Sequence, residues 1–322
     1  MNKSRIKWLG TGIAFVSLIH LISLEASAAK RIGIFTFTEE ALYSEAQKGI
    51  IDQLKKDGLG EPAVTFTIKN AYGSKAQTAE IVRQFAAARL DLIFTIGTSA
   101  TLPITREIKD VPVVFSVVFD PVETGIARDW KSSGNNTTGA SSRVPMSKII
   151  ETLRAFKQIH KLAVLYTPGE KNSEAQLKDL QRLPPNERVT IVPIILTNKE
   201  EASLTLLKVV QTVDAIYLTG SSIIGASVPI IVDGANKANV ATITHLDDLV
   251  EKGALVGVCP NSYQIGRLAG TKAVKILKGA KPSSIPIEAA KTLDIILNIK
   301  TAKAGKFQIP PAFMKTVTKT IE

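Results

Sequence analysis

The sequence predicts an α/β protein that folds as two lobes, each built on a parallel β-sheet with helices on both faces. From Arg31 onward, short apolar runs rich in β-branched residues alternate with longer amphipathic segments. Strands that are apolar along their whole length, instead of alternating, suit a parallel sheet covered on both sides. The alternation falls into two series separated by a turn-rich stretch at 130–145. The 322 residues also suffice for two domains of about 150 residues each.

The first series of elements alternates strands and helices in a simple order. Each strand run is bounded by turn residues, and each helical run has apolar residues at helical spacing. We expect strand 32–37, helix 40–56, strand 64–68, helix 75–88, strand 92–96 and strand 111–118.

The second series begins near Ser147 and repeats the architecture without repeating the sequence. A long final helix has Ile265, Leu268, Ala269 and Ala273 on one face. We expect strands at 161–166, 188–194, 214–218, 241–244 and 254–258, and helices at 173–181, 199–211, 222–237 and 262–278. A short segment at 246–252 lies between the last two strands.

The first 28 residues have the three regions of a secretory signal peptide. Lys3, Arg5 and Lys7 precede an uncharged run at 8–24, and Ala26-Ser27-Ala28 supplies small residues for cleavage. The alternative is a retained membrane anchor, but a spanning helix needs about 20 mostly apolar residues, and this shorter run contains Gly, Thr, Ser and His. No cysteine directly follows the run, so we do not expect a lipoprotein. We expect an exported protein, periplasmic in a bacterium with two membranes.

The excess of basic residues does not indicate a nucleic-acid partner. The net charge is +11, and loss of residues 1–28 would lower it to about +9. The lysines and arginines are dispersed along the chain, and aromatic residues make up only 6%. A nucleic-acid surface needs them clustered on one face, so we expect a solvated basic surface.

The sequence lacks the motifs of the common enzyme and cofactor classes. Cys259 is the single cysteine, so a disulfide framework and a cysteine metal site are excluded. The chain has no Walker phosphate loop, no dinucleotide fingerprint and no nucleophile elbow. Of the two histidines after residue 28, His160 is expected in solvent, whereas His245 ends a strand, where ligands collect in α/β sheets. We expect no enzyme, cofactor or metal. A secreted hydrolase would require a paired acid and base in the cleft.

Small polar residues follow three of the predicted strands, where a helix is about to begin. These pairs are Thr98 and Ser99, Asn172 and Ser173, and Ser221 and Ser222. Free N–H groups at a helix N-terminus bind carboxylates and other acceptors, although ordinary helix capping uses the same residue types. Three pairs from two lobes favour a ligand site between the lobes.

Short segments throughout the chain after residue 30 resemble one known family. They are Ile32-Gly33-Ile34 with Phe37 and Glu39, Asp91-Leu92-Ile93, Val113-Val114-Phe115 with Asp120-Pro121-Val122, Asn136-Thr137-Thr138-Gly139, Leu165-Tyr166 with Pro168-Gly169-Glu170, Asp214-Ala215-Ile216-Tyr217, Lys252-Gly253-Ala254-Leu255 and Gly266-Arg267. In this order and spacing, the segments resemble the substrate-binding proteins of bacterial ABC transporters with the type I periplasmic-binding fold. The specific group is the one whose few known ligands are aromatic amino acids.

The resemblance implies two doubly wound parallel-sheet lobes joined by a three-crossing hinge. Lobe 1 would comprise residues 30–143 and 247–285, and lobe 2 residues 144–246 and 286–322. It also implies a monomer that encloses a small molecule as the lobes close.

Matching positions suggest which residues face the cleft. These are Phe37, Glu39, Thr98, Ser99 and Asp120 from lobe 1, Asn172, Ser173, Ser221 and Ser222 from lobe 2, and Asp248 near the hinge, to which we add His245. The family commonly has an acidic residue and Asn after the strand at 214–217, whereas this chain has Gly220-Ser221-Ser222. Glu39, Asp120 or Asp248 would then have to pair with a ligand ammonium group.

The resemblance implies a periplasmic receptor that captures an amino acid or related metabolite and delivers it to the membrane permease of an ABC importer. The alternative keeps the fold but changes the partner: a ligand-sensing receptor that signals to a membrane sensor protein. An intracellular transcription factor with the same lobes is disfavoured, because a signal peptide stands where a DNA-binding domain would be.

Overall fold

The computed structural model describes residues 29–322, which form two separate β-sheets with helices on both faces of each. The first sheet has the order β11-β5-β4-β3-β1-β2, and all its strand pairs are parallel. Its strands are β1 (Lys30–Thr36), β2 (Val64–Asn70), β3 (Leu92–Ile96), β4 (Val113–Val118), β5 (Thr137–Ser141) and β11 (Glu288–Ala289).

The second sheet has the order β13-β12-β10-β9-β8-β6-β7. Its strands are β6 (Lys161–Tyr166), β7 (Thr190–Ile195), β8 (Ala215–Leu218), β9 (Ala241–Thr244), β10 (Val256–Pro260), β12 (Leu293–Asn298) and β13 (Lys319–Ile321). All pairs are parallel except β10 with β12, which is antiparallel.

The helices lie in the connections between strands and cover both sheets. They are α1 (Ala41–Lys56), α2 (Lys75–Ala87), α3 (Thr98–Glu107), α4 (Met146–Arg154), α5 (Lys171–Gln181), α6 (Glu201–Val209), α7 (Ser222–Lys237), α8 (Asp247–Glu251), α9 (Ser262–Leu277), α10 (Ile299–Ala304) and α11 (Pro311–Met314). Helices α1 and α9 pack on one face of the first sheet, and α2 and α3 contribute to the core on the other. In the second sheet, α4 and α5 cover one face and α6 and α7 the other.

The predicted fold class is confirmed. Strands 92–96, 161–166 and 241–244 and helix 222–237 have the predicted bounds residue for residue. Strand β5 was missed, because Thr137–Ser141 contains small and polar residues and no apolar run, although all five residues are buried. The start of α3 at Thr98 was expected, but no end was assigned to this helix, and α4 and every element after residue 285 were not predicted. Helix α3 contains Pro103, which weakens a helical signal.

The chain changes sheets three times, but two of the changes differ from the predicted lobe boundaries. Strand β10 lies in the second sheet, paired with β9 and β12, whereas residues 247–285 were expected in lobe 1. Strand β11 pairs with β5 in the first sheet, whereas residues from 286 were expected in lobe 2. The difference arises because the chain returns to the first lobe through α9, which packs along α1, and not through α8.

The predicted signal peptide, residues 1–28, lies outside the described residues. From residue 29 to residue 322, no helix has the length and apolar character needed to cross a membrane.

Candidate functional site

The two sheets place the carboxyl ends of their parallel strands on opposite sides of one cleft, where ligands bind in open α/β sheets. The cleft contains an inner cavity of about 320 Å³. Its lining comes from the segments after β1, β3, β4 and β5 in the first lobe and after β6, β8 and β9 in the second. The polar lining residues are Thr38, Glu39, Glu40, Tyr43, Thr98, Ser142, Asn172, Gln176, Ser221, Ser222, His245, Asp248 and Lys252.

An outer cavity of about 520 Å³ adjoins the inner one. The two share Thr38, Glu40, Tyr43, Thr98 and Asn172 among their lining residues, so they form one continuous space. The outer cavity adds the residues Phe37, Gly73, Lys75, Thr78, Ser99, Leu102, Pro103, Pro168, Gly169, Glu170 and Lys171. The lining of the inner cavity includes the buried residues Phe119 and His245, so this cavity is the deeper part of the cleft.

The N-terminus of α3 faces both cavities without a side-chain cap. Gly97 precedes the helix with φ 87° and ψ 156°, a conformation that essentially only glycine adopts. The Thr101 hydroxyl donates to the Gly97 carbonyl at 2.8 Å and lies 2.9 Å from the Thr95 hydroxyl, which fixes the turn. Thr98 is 5% exposed, and its Oγ1 has no hydrogen-bond partner among the described residues. This end of α3 therefore offers the cleft an unsatisfied buried hydroxyl.

The N-terminus of α7, on the opposite lobe, is already satisfied by the protein itself. Ser221 Oγ accepts from the N–H groups of Ile223 and Ile224 at 3.1 and 3.3 Å and lies 2.7 Å from the Thr167 hydroxyl. The Glu170 carboxylate accepts from the Ser222 N–H at 3.0 Å and from the hydroxyls of Ser222 and Ser221 at 2.8 and 3.2 Å. A carboxylate thus already occupies this helix end.

Two amides of α5 hold the backbone that precedes α7. Asn172 Nδ2 donates to the Gly220 carbonyl, and the Gly220 N–H donates to Gln176 Oε1 at 2.9 Å. These bonds leave Asn172 Oδ1 buried, with no partner in residues 29–322. Asn172 therefore offers the cleft an acceptor.

The inner cavity contains more acidic than basic groups. Asp248 is 5% exposed; its Oδ2 accepts from Lys252 Nζ at 2.9 Å, and its Oδ1 has no partner among the described residues. Burial raises the pKa of Glu40, although the Thr38 hydroxyl, which donates at 2.7 Å, opposes this shift. With Glu39 also in the lining, three carboxyl groups face one lysine, which suits a cationic group on a ligand.

Aromatic rings form part of the cavity wall. Tyr43, Phe119 and His245 all line the inner cavity. The Phe119 ring meets the His245 ring edge to face, with centroids 5.1 Å apart. Such rings provide flat apolar surface in a cavity that is otherwise polar.

Nine of the eleven residues predicted for the site line the two cavities. They are Phe37, Glu39, Thr98, Ser99, Asn172, Ser221, Ser222, His245 and Asp248. Asp120 and Ser173 line neither of the two cavities. The Asp120 carboxylate accepts from the N–H groups of Val122 and Glu123 and lies 3.4 Å from Arg143. Ser173 is fully buried, where it bonds to the Thr167 N–H and the Thr219 hydroxyl.

Sequence reasoning did not select Thr38, Glu40, Tyr43, Glu170 or Gln176. Each of them lies within four residues of a predicted position, and Gln176 is one helical turn after Asn172. Extending each strand-end position along the first turn of the next helix would have found Tyr43 and Gln176. Glu170 belongs to Pro168-Gly169-Glu170, one of the segments that resemble the family. Its contact with α7 could not be predicted, because that contact depends on the tertiary fold.

Comparison with known proteins decides the family. The family model described as "ABC transporter substrate binding protein" matches residues 31–321. The chain belongs to this family. Its members are substrate-binding proteins and not enzymes, so the prediction of a non-enzymatic protein is confirmed.

Two relatives of this substrate-binding protein have names that state a ligand. A tyrosine-binding protein of Clostridioides difficile (strain R20291) is 27% identical over 287 residues, 88% of this chain and 83% of the relative. A crystal structure from Streptococcus pneumoniae, in complex with L-Trp, is 26% identical with a TM-score of 0.84, covering 91% of this chain and 100% of the other. Both relatives therefore bind an aromatic amino acid.

A third match is a structure without ligand. The ligand-free, open structure of a Clostridium difficile substrate-binding protein is 27% identical, covers 91% of this chain and 100% of the other, and gives a TM-score of 0.74. The score against the L-Trp complex is higher at nearly the same identity and coverage. As a whole chain, this protein therefore superposes better on the L-Trp complex than on the open structure.

Proposed function

We propose that this substrate-binding protein is the extracytoplasmic receptor of an ABC importer, and that it captures an aromatic amino acid between its lobes. Closure then presents the loaded form to a membrane permease. The tyrosine-binding and L-Trp-bound relatives support the ligand class. The signal-peptide pattern at 1–28, with no cysteine directly after it, supports export to the periplasm as a protein without a lipid anchor.

The observation that carries the proposal is the set of buried polar atoms without partners. Among residues 29–322, five buried side-chain atoms lack a hydrogen bond, and those of Thr98, Asn172 and Asp248 all line the inner cavity. Burying a polar group without a partner costs free energy, and buried polar groups in proteins are otherwise paired. A bound polar ligand would supply the missing partners, with contributions from both lobes.

The distribution of charge in the cleft matches the two poles of an amino acid. The ammonium group would bind Asp248 Oδ1, with Glu40 and Glu39 nearby. The carboxylate would bind the uncapped N-terminus of α3, where N–H groups and Thr98 face the cleft. The aromatic ring would pack against Tyr43, Phe119 and His245. The cavity volume of about 320 Å³ lies at the lower end of the range for small-ligand sites.

The absence of the common acid after β8 fits the same assignment. Gly220, Ser221 and Ser222 stand there, and Glu170 reaches over them from the loop between β6 and α5. Asp248, on the segment after β9, would then replace the missing acid as the partner of the ammonium group. Asp120 and Ser173 act in this assignment as supports for the loop after β4 and for α5. Of the eleven predicted residues, we propose ligand contact for the nine that line the cavities.

Calorimetric titration of the mature chain with L-tyrosine, L-tryptophan and L-phenylalanine tests the proposal. Asp248→Asn removes the charge with little change in shape, and we expect an affinity loss of at least tenfold, about 1.4 kcal/mol. Asn236→Ala is the matched control. Asn236 Oδ1 is also buried without a hydrogen-bond partner among residues 29–322, but it lies at the far end of α7. Failure of all three amino acids to bind, or equal effects of the two variants, would contradict the proposal.

Uptake measurements separate the importer from a sensor. Cells that lack this chain should lose high-affinity uptake of the labelled amino acid, and plasmid-borne protein should restore it. Unchanged uptake, combined with ligand binding by the pure protein, would favour the alternative in which the closed receptor signals to a membrane sensor.

A further inference from the structure

Tyr217 and His245 form a buried polar pair beneath the inner cavity. Tyr217 lies in β8 and is fully buried, and His245 directly follows β9 and is 1% exposed. The Tyr217 hydroxyl lies 2.8 Å from His245 Nδ1. The two rings are nearly parallel, with an interplanar angle of 12° and centroids 6.2 Å apart, and Phe119 packs on the imidazole edge to face. These contacts fix the position and the orientation of the imidazole.

The donors and acceptors available on Tyr217 and His245 favour one placement of their protons. Nδ1 and Nε2 of a neutral imidazole divide the roles of donor and acceptor between them. If the Tyr217 O–H donates to Nδ1, the phenol proton is satisfied and Nε2 carries the imidazole proton. In the opposite arrangement, Nδ1–H donates to the phenol oxygen, and the phenol proton has no partner among the described residues. In that case the unpaired proton would lie on Tyr217, which is fully buried and lines neither cavity. In the first arrangement the proton without a protein partner lies on His245, which lines the inner cavity, so the first arrangement is favoured.

Both groups stay in the protonation states that this arrangement requires. Burial raises the pKa of Tyr217 well above its usual value, so the phenol remains a donor. Burial lowers the pKa of His245 to about 3, so the imidazole is neutral near pH 7. His245 lines the inner cavity, and its Nε2 has no hydrogen-bond partner within residues 29–322.

We propose that Tyr217 is a positioning residue that holds His245 with its proton on Nε2, so that His245 donates a hydrogen bond to an acceptor oxygen of the bound ligand. This inference rests on the proposed function, because it concerns the same cavity. It adds a specificity rule. A ligand that fills the cavity but lacks an acceptor opposite His245 leaves a buried N–H unpaired, and sites built to hydrogen-bond a substrate reject such analogues strongly.

The tautomer of His245 is measured by ¹⁵N–¹H correlation spectra of histidine-labelled protein. After residue 28 the chain contains one other histidine, His160, and H160Q assigns the signals. We expect His245 to be protonated at Nε2 in the free protein. Tyr217→Phe keeps the ring but removes the hydroxyl, so the preference for that tautomer should weaken or disappear. Tyr166→Phe is the matched control, because Tyr166 lies in β6 and lines neither cavity, and it should leave the His245 spectrum unchanged.

Binding measurements with L-tyrosine and L-tryptophan complete the test. His245→Leu removes the donor, and the affinity for whichever amino acid binds should fall roughly tenfold. His245→Gln retains an N–H donor and should recover part of the loss. Tyr217→Phe should lower the affinity by a smaller factor of about three to ten, whereas Tyr166→Phe should not change it.

The outcomes separate this inference from the proposed function. If neither amino acid binds the wild-type protein, the proposed ligand class fails, whereas the spectra still decide whether Tyr217 holds His245 in the Nε2–H form. A His245 protonated at Nδ1 would overturn the inference even if both amino acids bind. Equal affinities for wild type and His245→Leu would overturn it as well.

Discussion

The N-termini of α3 and α7 occupy corresponding places in the two lobes, but only one of them is satisfied by the protein. Both helices follow a parallel strand and begin with small polar residues. At α7, Ser221 caps the first turn and Glu170 places a carboxylate over it. At α3, Gly97 provides no side-chain cap, and Thr98 Oγ1 is buried with no hydrogen-bond partner among residues 29–322.

This difference indicates that the two lobes contribute differently to the same cleft. The second lobe satisfies the N-terminus of α7 with its own groups, and the atoms that it leaves free are the acceptors Asn172 Oδ1 and Asp248 Oδ1. The first lobe retains donor capacity at α3 that a ligand can use. An anionic group of a ligand therefore finds its free partners on the first lobe, and the second lobe adds contacts when the cleft closes.

The largest expected effect comes from the turn before α3. Gly97→Ala adds a Cβ that would lie 2.7 Å from the Tyr43 hydroxyl oxygen, at a φ of +87° that L side chains rarely adopt. We expect a loss of about 3 kcal/mol in the free energy of unfolding, measured by urea denaturation. Gly169→Ala is the matched control in the second lobe, because Gly169 has the same φ but open space around it, and it should cost only about 1 kcal/mol. Equal losses would mean that contact with Tyr43 does not constrain this turn.

Removing the cap of α7 should reduce stability more than binding. Ser221→Ala removes the cap bonds to Ile223 and Ile224 and the bond to Thr167. We expect a loss of about 1–2 kcal/mol in the free energy of unfolding. Ser74→Ala removes the cap of α2, which makes a single bond to Gln77 at 3.2 Å, and should cost less. A tenfold loss of affinity in Ser221→Ala with unchanged stability would contradict the view that this end of the cleft is self-satisfied.

At the N-terminus of α3, loss of a hydroxyl should reduce binding more than stability. Thr98→Val replaces an unpartnered buried hydroxyl with a methyl group, so the free energy of unfolding should stay the same or rise by up to about 1 kcal/mol. The affinity for the amino acid should fall roughly tenfold. Thr101→Val is the control, because Thr101 is bonded to Thr95 and Gly97 and its loss should lower stability. Calorimetry and thermal unfolding of both variants distinguish the two profiles.

The smallest expected effect concerns the acids of the two lobes. Glu170 accepts three hydrogen bonds at α7, whereas Glu40 accepts one, from Thr38. Burial raises the pKa of Glu40, so the folded protein holds this proton more tightly than the unfolded chain. Stability should therefore decline as pH rises through the interval between the unfolded and the folded pKa of Glu40.

Glu40→Gln tests that expectation. Relative to wild type, the variant should be more stable above this pH interval and should lose the advantage below it, as measured by urea denaturation from pH 3 to pH 8. Glu170→Gln should show no such gain, because it weakens bonds to the α7 N-terminus. If Glu40→Gln is less stable than wild type at pH 7, burial of the charged Glu40 carboxylate does not destabilise the folded protein, and the expectation is wrong.

Much of the site followed from local sequence, and the exceptions have physical reasons. Strand ends are readable because apolar runs stop there, so Thr98, Asn172 and Ser221 were found from the residues that follow each run. Asp120 and Ser173 satisfy the same pattern, but Asp120 makes its bonds within the loop after β4 and Ser173 makes its bonds inside the second lobe. Sequence periodicity does not distinguish a polar residue that faces a cleft from one that completes a turn.

The sequence by itself determined the alternation of strands and helices, the two-lobed class and the carboxyl-end location of the cleft, because each depends on local periodicity. Only the tertiary structure decided that β10 joins the second sheet while α9 packs on the first, since strand pairing is a contact between distant segments. It also decided which polar groups find partners. Glu170 satisfies α7 and Tyr217 holds His245, whereas Thr98 and Asp248 retain free atoms in the cavity. A side chain's need for a partner is local, but the presence of that partner depends on the whole fold.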